Sequence, residues 1–185
     1  RAFSYTKNLR VLELAGVKNI PRGLFSECRK ITMMSLTGNY AEIKATDLRK
    51  LKNLRAVNTS KAIQGNLKEY CKKLKNNKIT VSSEMKKFGK FLIENKKLIE
   101  YTGNSEVVKI PKGVKVIDDI VFRDENNIRK IVMPNTVRTI GKEAFYSCER
   151  LTEIKFSKKL TKIGDYAFSN SARMKKYNLP KTVKS

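Results

Sequence analysis

A repeat of 23 residues is the feature that most constrains how this 185-residue chain can fold. Three consecutive lines start at Val114, Val137 and Leu160, and Val183 opens a fourth. The lines read VKVIDDIVFRDENNIRKIVMPNT, VRTIGKEAFYSCERLTEIKFSKK and LTKIGDYAFSNSARMKKYNLPKT. Apolar residues fill the same columns in each line; three such columns hold Ile117, Ile140 and Ile163; Phe122, Phe145 and Phe168; and Ile128, Leu151 and Met174. A fixed period of this kind predicts a solenoid of stacked coils.

Each line contains the pattern of one strand. In LTEIKF, apolar Ile154 and Phe156 alternate with polar Glu153 and Lys155, as expected of a half-buried strand. One line cannot bury its own apolar face, so its neighbours must cover it. We therefore predict a leucine-rich-repeat solenoid, α/β to mainly β. A parallel sheet forms one face, and short helices or turns form the other.

The segment between strands turns the chain back. Gly141 and Gly164 directly follow Ile140 and Ile163, which share one repeat column, and they are predicted to permit a tight bend. Pro134 and Pro180 follow the strands and are predicted to end them, because proline cannot continue a hydrogen-bonded ladder.

The pattern I-G-x-x-A-F-x-x-C-x-x-L-x-x-I, with proline after the strand, resembles the BspA-like (Treponema-type) leucine-rich repeats. The resemblance is strong over residues 108–185 and weaker over the first eighty. That family is common in surface proteins of bacteria and of some mucosal protozoa. The resemblance implies a binding or adhesion surface at a secreted or cell-surface location, and it offers no catalytic residues to transfer.

The first third of the chain carries the same repeat in a degenerate form. One column holds Phe3, Phe25, Leu48 and Cys71. We predict three parts: a degenerate array over 1–82, a β-hairpin or meander cap or linker over 83–107, and a second array over 108–185. The meander strands are expected near Phe91, at Leu98–Tyr101 and at Val107–Ile110, and TDLRKLKNLRAV and GNLKEYCKKLKN suggest short helices. Because the chain begins and ends within a repeat, we expect it to be part of a longer protein.

The residues needed for common enzyme chemistry are missing from the sequence. The chain has no histidine, which excludes Ser-His and Cys-His nucleophile pairs and most catalytic zinc sites. Asp118-Asp119 and Asp124-Glu125 are the only dense carboxylates, and a solvated turn is favoured over a cation site because no third ligand is suitably spaced. We predict no enzyme activity, no cofactor and no metal.

Three cysteines fall in interior columns. Cys28, Cys71 and Cys148 are widely spaced and odd in number, which fits neither a disulfide framework nor a zinc motif. We predict buried free thiols that pack as small hydrophobic residues.

Net charge is the other strong constraint: 41 Lys and Arg stand against 17 Asp and Glu, giving +24. Such a potential favours anionic partners, namely sulfated glycans, wall teichoic acids, nucleic acid or acidic membranes. The alternative is that the charge only maintains solubility in a lysine-rich proteome. No aromatic platform alternates with the basic residues and no recognition helix is evident, which disfavours nucleic acid. No run of eighteen apolar residues predicts a membrane span.

The candidate ligand-binding face consists of the strand residues between the apolar columns, which point outward. Its predicted members are Lys109, Lys130, Val132, Glu153, Lys155, Lys176 and Asn178. Four of them, Lys109, Lys130, Lys155 and Lys176, are predicted to form a lysine ladder, although they also fit ordinary solvating lysines.

Three functions remain open. The first is a non-catalytic adhesion module that binds a protein partner through this face. The second is a binder of an anionic polymer, such as wall teichoic acid or a sulfated glycan, through the lysine ladder. The third, which free cysteines permit, is an intracellular scaffold.

Overall fold

The computed structural model describes residues 9–16, 24–25, 28, 30–37, 48, 51, 53–59, 79–171, 173–174 and 177–184. The chain divides into two compact units, Arg1–Met85 and Lys86–Ser185. In each unit, successive coils contribute parallel strands to a shared sheet, which confirms the predicted leucine-rich-repeat solenoid. Among the described residues, no helix combines the length and apolar character that crossing a membrane requires.

The described residues of the first unit form a four-stranded parallel sheet whose strands follow chain order. These strands are β1 (Val11–Ala15), β2 (Met33–Thr37), β3 (Ala56–Thr59) and β4 (Thr80–Ser82). Leu12 aligns with Met34, and Met34 aligns with Val57, so one sequence column forms one row of the core. All three side chains are buried together.

The two helices suggested by sequence fall mostly outside the described residues of the first unit. GNLKEYCKKLKN lies wholly outside them. Of TDLRKLKNLRAV, the structure describes Leu48, Leu51 and residues 53–57, and the last two of these open β3.

The described residues of the second unit form two sheets. A three-stranded parallel sheet has the order β12-β10-β8, and a six-stranded sheet has the order β13-β11-β9-β7-β6-β5. The strands are β5 (Lys86–Phe88), β6 (Phe91–Glu94), β7 (Lys97–Tyr101), β8 (Val107–Lys109), β9 (Val116–Ile117), β10 (Lys130–Val132), β11 (Thr139–Ile140), β12 (Glu153–Lys155) and β13 (Lys162–Ile163).

The meander differs from the prediction in its third strand. Strands β5, β6 and β7 form the antiparallel meander, whereas Val107–Lys109 pairs in parallel with β10. The reason is the repeat register: Val108 aligns with Ile131, which aligns with Ile154, so Val108 is buried in the solenoid core. At the meander's other edge, β7 pairs in parallel with β9 and so offers a sheet edge to the first coil.

In the described part of the second unit, the segments between β9 and β10 and between β11 and β12 form turns instead of helices, and we call this the turn side of the coils. The N–H groups of Ile120, Phe122 and Asp124 donate to carbonyls of the next coil at 2.9, 2.8 and 2.9 Å. Glu143, Phe145 and Ser147 repeat this bonding one coil later. Ile120 and Asp124 adopt left-handed φ angles of 55° and 60°. Every second N–H of this segment therefore points along the solenoid axis.

An aromatic stack runs through the core of the second unit. Its rings belong to Phe91, Tyr101, Phe122, Phe145, Phe168 and Tyr177. Neighbouring ring centroids along Phe122, Phe145 and Phe168 lie 4.9 and 5.3 Å apart, with interplanar angles of 6°. Tyr101 lies 5.3 Å from Phe122 and gives the meander a ring in the same stack.

The glycines after the column isoleucines serve close approach between coils. A Cβ atom built on Gly141 would lie 2.5 Å from the backbone nitrogen of Asp119, and one on Gly164 would lie 2.5 Å from that of Lys142. Neither glycine has a left-handed φ angle. The predicted bend is therefore the wrong reason for glycine here; the coils pack too closely for any side chain.

Candidate interaction surface

The outward side chains of β8, β10 and β12 form two columns, which we call the strand face. Register places Val107, Lys130 and Glu153 in one column. It places Lys109, Val132 and Lys155 in the other. The intervening Val108, Ile131 and Ile154 pack into the core, so the six outward residues are presented from a fixed backbone.

The predicted lysine ladder is not a single row. Lys109 and Lys155 share a column but are separated by Val132, whereas Lys130 lies in the other column. The Lys130 Nζ atom is 2.7 Å from Glu153 Oε1, so this lysine is neutralised by its neighbour. Asn178 is exposed, and Lys176 lies outside the described residues.

The strand face combines apolar groups with charges of both signs. Val107 is 49% exposed although it is apolar. Val132 is partly exposed and lies between Lys109 and Lys155 in its column. The Lys130–Glu153 pair is solvent-accessible, and such pairs contribute only about 0–1 kcal/mol, so a partner can displace it at little cost.

The carboxylates of the first turn connect coils. Asp118 Oδ2 lies 3.1 Å from Lys97 Nζ, and Asp119 Oδ1 accepts the Lys142 N–H at 2.8 Å. The Glu125 residue is buried, with 5% of its surface exposed. Over the described ranges, no group of three or more His, Cys, Asp or Glu is arranged to hold a metal ion. Asp118 and Asp119 are thus explained by contacts within this unit.

Two of the three cysteines lie in the described part of the chain. Cys28 and Cys148 are both buried and neither forms a disulfide, and Cys71 lies outside the described residues. The Cys148 Sγ atom donates a hydrogen bond to the Phe122 carbonyl at 2.9 Å. Burial, with smaller contributions from the nearby Glu125 and Asp124 carboxylates, raises the pKa of Cys148 to about 12. This thiol is therefore a packing group.

Native Cys148 should resist alkylation. Its pKa rises from 9.0 to about 12, so at pH 8 its thiolate population falls about 1000-fold below that of an unfolded chain. Iodoacetamide labelling at pH 8, followed by peptide mass spectrometry, should show native labelling at least two orders of magnitude slower than labelling in denaturant. Comparable rates in the two states would contradict this assignment.

A second group of exposed cations was missed by the sequence analysis. After β8, β10 and β12 the chain passes through the segments PKGVKV (111–116), PNTVRT (134–139) and SKKLTK (157–162); PKTVK (180–184) is the fourth. Together they hold eight Lys or Arg and no Asp or Glu. The signal was available, because counting charge by repeat column separates these segments, which lack carboxylates, from the turns, which contain them.

Comparisons with known proteins agree with this architecture. The family model described as "BspA type Leucine rich repeat region (6 copies)" matches residues 1–100 and 93–185. No curated protein matches the chain.

Solved structures share the fold. A leucine-rich cell surface protein from Faecalibacterium prausnitzii is 19% identical with a TM-score of 0.54, covering 98% of this chain and 50% of that one. The pneumococcal vaccine antigen PcpA is 20% identical with a TM-score of 0.56, covering 95% and 34%. A leucine-rich repeat protein from Bacteroides capillosus is 25% identical with a TM-score of 0.51, covering 56% and 87%. The chain thus spans half or less of the first two structures. Because the family model matches both of its halves, the chain belongs to the BspA-type leucine-rich repeat family.

Proposed function

We propose that this chain is a non-catalytic adhesion module of a larger secreted or cell-surface protein, and that it binds a protein partner through the strand face. The family is a repeat-protein family suited to interaction. Two proteins of similar fold are a leucine-rich cell surface protein and a vaccine antigen, which supports a surface location for this chain. Antibody labelling of intact cells tests that location.

The observation that carries the proposal is the mixed chemistry of the strand face. Exposed Val107 and partly exposed Val132 lie beside cations and beside the Lys130–Glu153 pair. Protein interfaces combine apolar anchors with polar groups of both signs around them. A polymer of uniform negative charge would gain little from two valines and would be repelled by Glu153. The strand face therefore supports a protein partner better than the polymer alternative.

Photocrosslinking identifies the partner and tests the face together. A benzoylphenylalanine placed at Val107 or at Val132 should capture the same surface protein from a cell-surface extract. Tyr166 is a matched control position, because it is an aromatic residue, 67% exposed, on the turn side of the same unit. Equal capture from position 166 would contradict the proposal.

Binding of the purified captured protein to variants of this chain should show how much the strand face contributes to affinity. The double variant Val107→Asp/Val132→Asp should weaken its binding at least tenfold, because both apolar contacts are replaced by charges. Tyr166→Asp should leave affinity within about twofold, since exposed residues outside a contact contribute little. Calorimetric titration measures both, with melting temperatures to confirm folding. Unchanged affinity in the double variant would rule out this face.

A further inference from the structure

The cations after the strands of the second unit form one exposed surface, which we call the basic band. Its members are Lys96, Lys112, Lys115, Arg138, Lys158, Lys159, Lys162, Lys181 and Lys184. All nine are exposed. The four segments that contain eight of them hold no carboxylate side chain. In the first coil, by contrast, the turn side carries the carboxylates of Asp118, Asp119, Asp124 and Glu125.

Backbone hydrogen bonds fix the central column of the band. The Lys115 N–H donates to the Lys96 carbonyl at 2.7 Å, and the Arg138 N–H donates to the Lys115 carbonyl at 2.8 Å. The column continues in the same way. The Thr161 N–H donates to the Arg138 carbonyl at 2.9 Å, and the Lys184 N–H donates to the Thr161 carbonyl at 3.2 Å. Four of these five successive positions are basic. Strands are spaced by about 4.8 Å, so the column extends over about 19 Å.

Neighbouring columns widen the band. The repeat places Lys112, Asn135, Lys158 and Lys181 at equivalent positions. The Lys158 N–H donates to Asn135 Oδ1 at 3.2 Å, which confirms that the two turns lie against each other. On the other side, β11 aligns Thr139 with Lys162. The cations thus cover several adjacent columns, with hydroxyl and amide side chains between them.

Among the described residues of this unit, several cations outside the band form ion pairs, whereas the band residues do not. Away from it, Lys97 pairs with Asp118, Lys130 with Glu153, and Arg123 with Glu143. Within the described part of the chain, no ion pair involves any of the nine band residues. Neighbouring cations on the band lie within a Debye length of one another, so their repulsion is only partly screened. A bound polyanion would relieve that repulsion.

We propose that the basic band binds a sulfated glycan that runs along the stacked coils. Lysine side chains on a regular lattice match repeated sulfate groups, and Asn135, Thr139 and Thr161 provide polar groups for sugar hydroxyls. The four segments contain no aromatic residue, so nucleic-acid bases have no surface on which to stack. The band lies on different residues from the strand face, and the inference is independent of the proposed protein partner.

Fluorescence anisotropy with a labelled heparin oligosaccharide tests this inference on the full chain. Binding should be at least tenfold tighter than to desulfated heparin, to glycerol-phosphate teichoic acid or to duplex DNA at equal ionic strength. It should weaken steeply as salt is raised, because each contact releases counterions. Equal binding to desulfated heparin, to teichoic acid or to DNA would overturn the assignment of a sulfated glycan.

Matched charge variants locate the site. The band variant Lys115→Glu/Arg138→Glu/Lys158→Glu should weaken heparin binding at least tenfold. The control Lys86→Glu/Lys142→Glu/Arg150→Glu changes net charge equally at exposed positions outside the band and should weaken it less than threefold. Equal losses in both would show that only net charge matters and would overturn the proposal.

Two further measurements separate this result from the proposed protein interaction. The strand-face variant Val107→Asp/Val132→Asp should retain heparin affinity to within threefold, because it leaves all nine band cations in place. A tenfold loss there would place the glycan on the strand face and overturn the band assignment. Melting temperatures of all variants confirm that each is folded.

Discussion

Replacing Phe145 with alanine should lower the free energy of unfolding of the Lys86–Ser185 unit by about 3–5 kcal/mol. The Phe145 side chain is 0% exposed, and its ring lies between Phe122 and Phe168 at centroid distances of 4.9 and 5.3 Å. Truncation removes the buried area, leaves a cavity in a core of fixed coil spacing, and ends two stacking contacts worth about 0.5–1.5 kcal/mol each.

Urea denaturation followed by circular dichroism measures this effect. Phe88→Ala is the control, because Phe88 is 53% exposed in the edge strand β5, and its loss should be about 1 kcal/mol or less. Should Phe145→Ala fail to fold, Phe145→Leu should show a smaller loss at the same site. Equal losses at positions 88 and 145 would contradict the stacked core.

Gly141→Ala is expected to cost about 3 kcal/mol, an unusually large effect for one added methyl group. The new Cβ atom would lie 2.5 Å from the Asp119 nitrogen and 2.6 Å from the Asp118 carbonyl carbon. Backbone cannot rotate away as a side chain can, so the coils must separate. Moving the coils apart lengthens two hydrogen bonds between them, each of 2.8 Å. One joins Gly141 N–H to the Ile117 carbonyl, and the other joins Lys142 N–H to Asp119 Oδ1.

A second glycine distinguishes crowding from backbone conformation. Gly89 has a φ angle of +57°, and a Cβ atom there would meet nothing within 4 Å. Gly89→Ala should therefore cost only the left-handed penalty of about 1–2 kcal/mol. Denaturation midpoints compare the two variants under identical conditions. If Gly89→Ala is the more destabilising, close coil approach does not explain the glycine at 141.

The repeat period alone predicts the core and the strand register of the second unit. Ile117 and Ile140 share a sequence column, and they are paired in adjacent strands. This success has a simple cause: identical coils that stack must place equivalent residues one above another. The same rule holds for Leu12, Met34 and Val57 in the first unit, where the repeat is much less regular.

Two features were harder to predict: which strand each strand pairs with, and why a given position requires glycine. Alternation at Val107–Lys109 indicates a strand, but the same alternation suits a local antiparallel pair and a distant parallel pair. The column of Val108 decided in favour of the parallel pair. Likewise, the repeat pattern predicts a glycine-specific role for Gly141. It does not reveal that the cause is close contact with the backbone of the neighbouring coil and not a bend.

The candidate surface was predicted in part. Alternation identifies the outward residues, and the sequence spacing of Lys109 and Lys130, which is 21 residues instead of 23, already separates their columns. What the sequence does not contain is pairing: the Lys130–Glu153 contact and the absence of such contacts from the basic band, within the described residues, depend on side-chain positions. Net charge predicts an anionic partner, but it does not predict where on the surface that partner binds.

The parallel pairing of β7 with β9 has a consequence for synthesis of the chain. Strands β6 and β7 are joined by the turn Asn95–Lys96, and hairpins of this kind close within microseconds from local contacts. The meander therefore precedes the coils both in sequence and in ease of folding. Each later coil needs only the edge of its predecessor, and the loop it closes is always of similar length, so the entropic cost does not grow. As the ribosome releases the chain from its N-terminal side, every new coil of this unit meets a finished template.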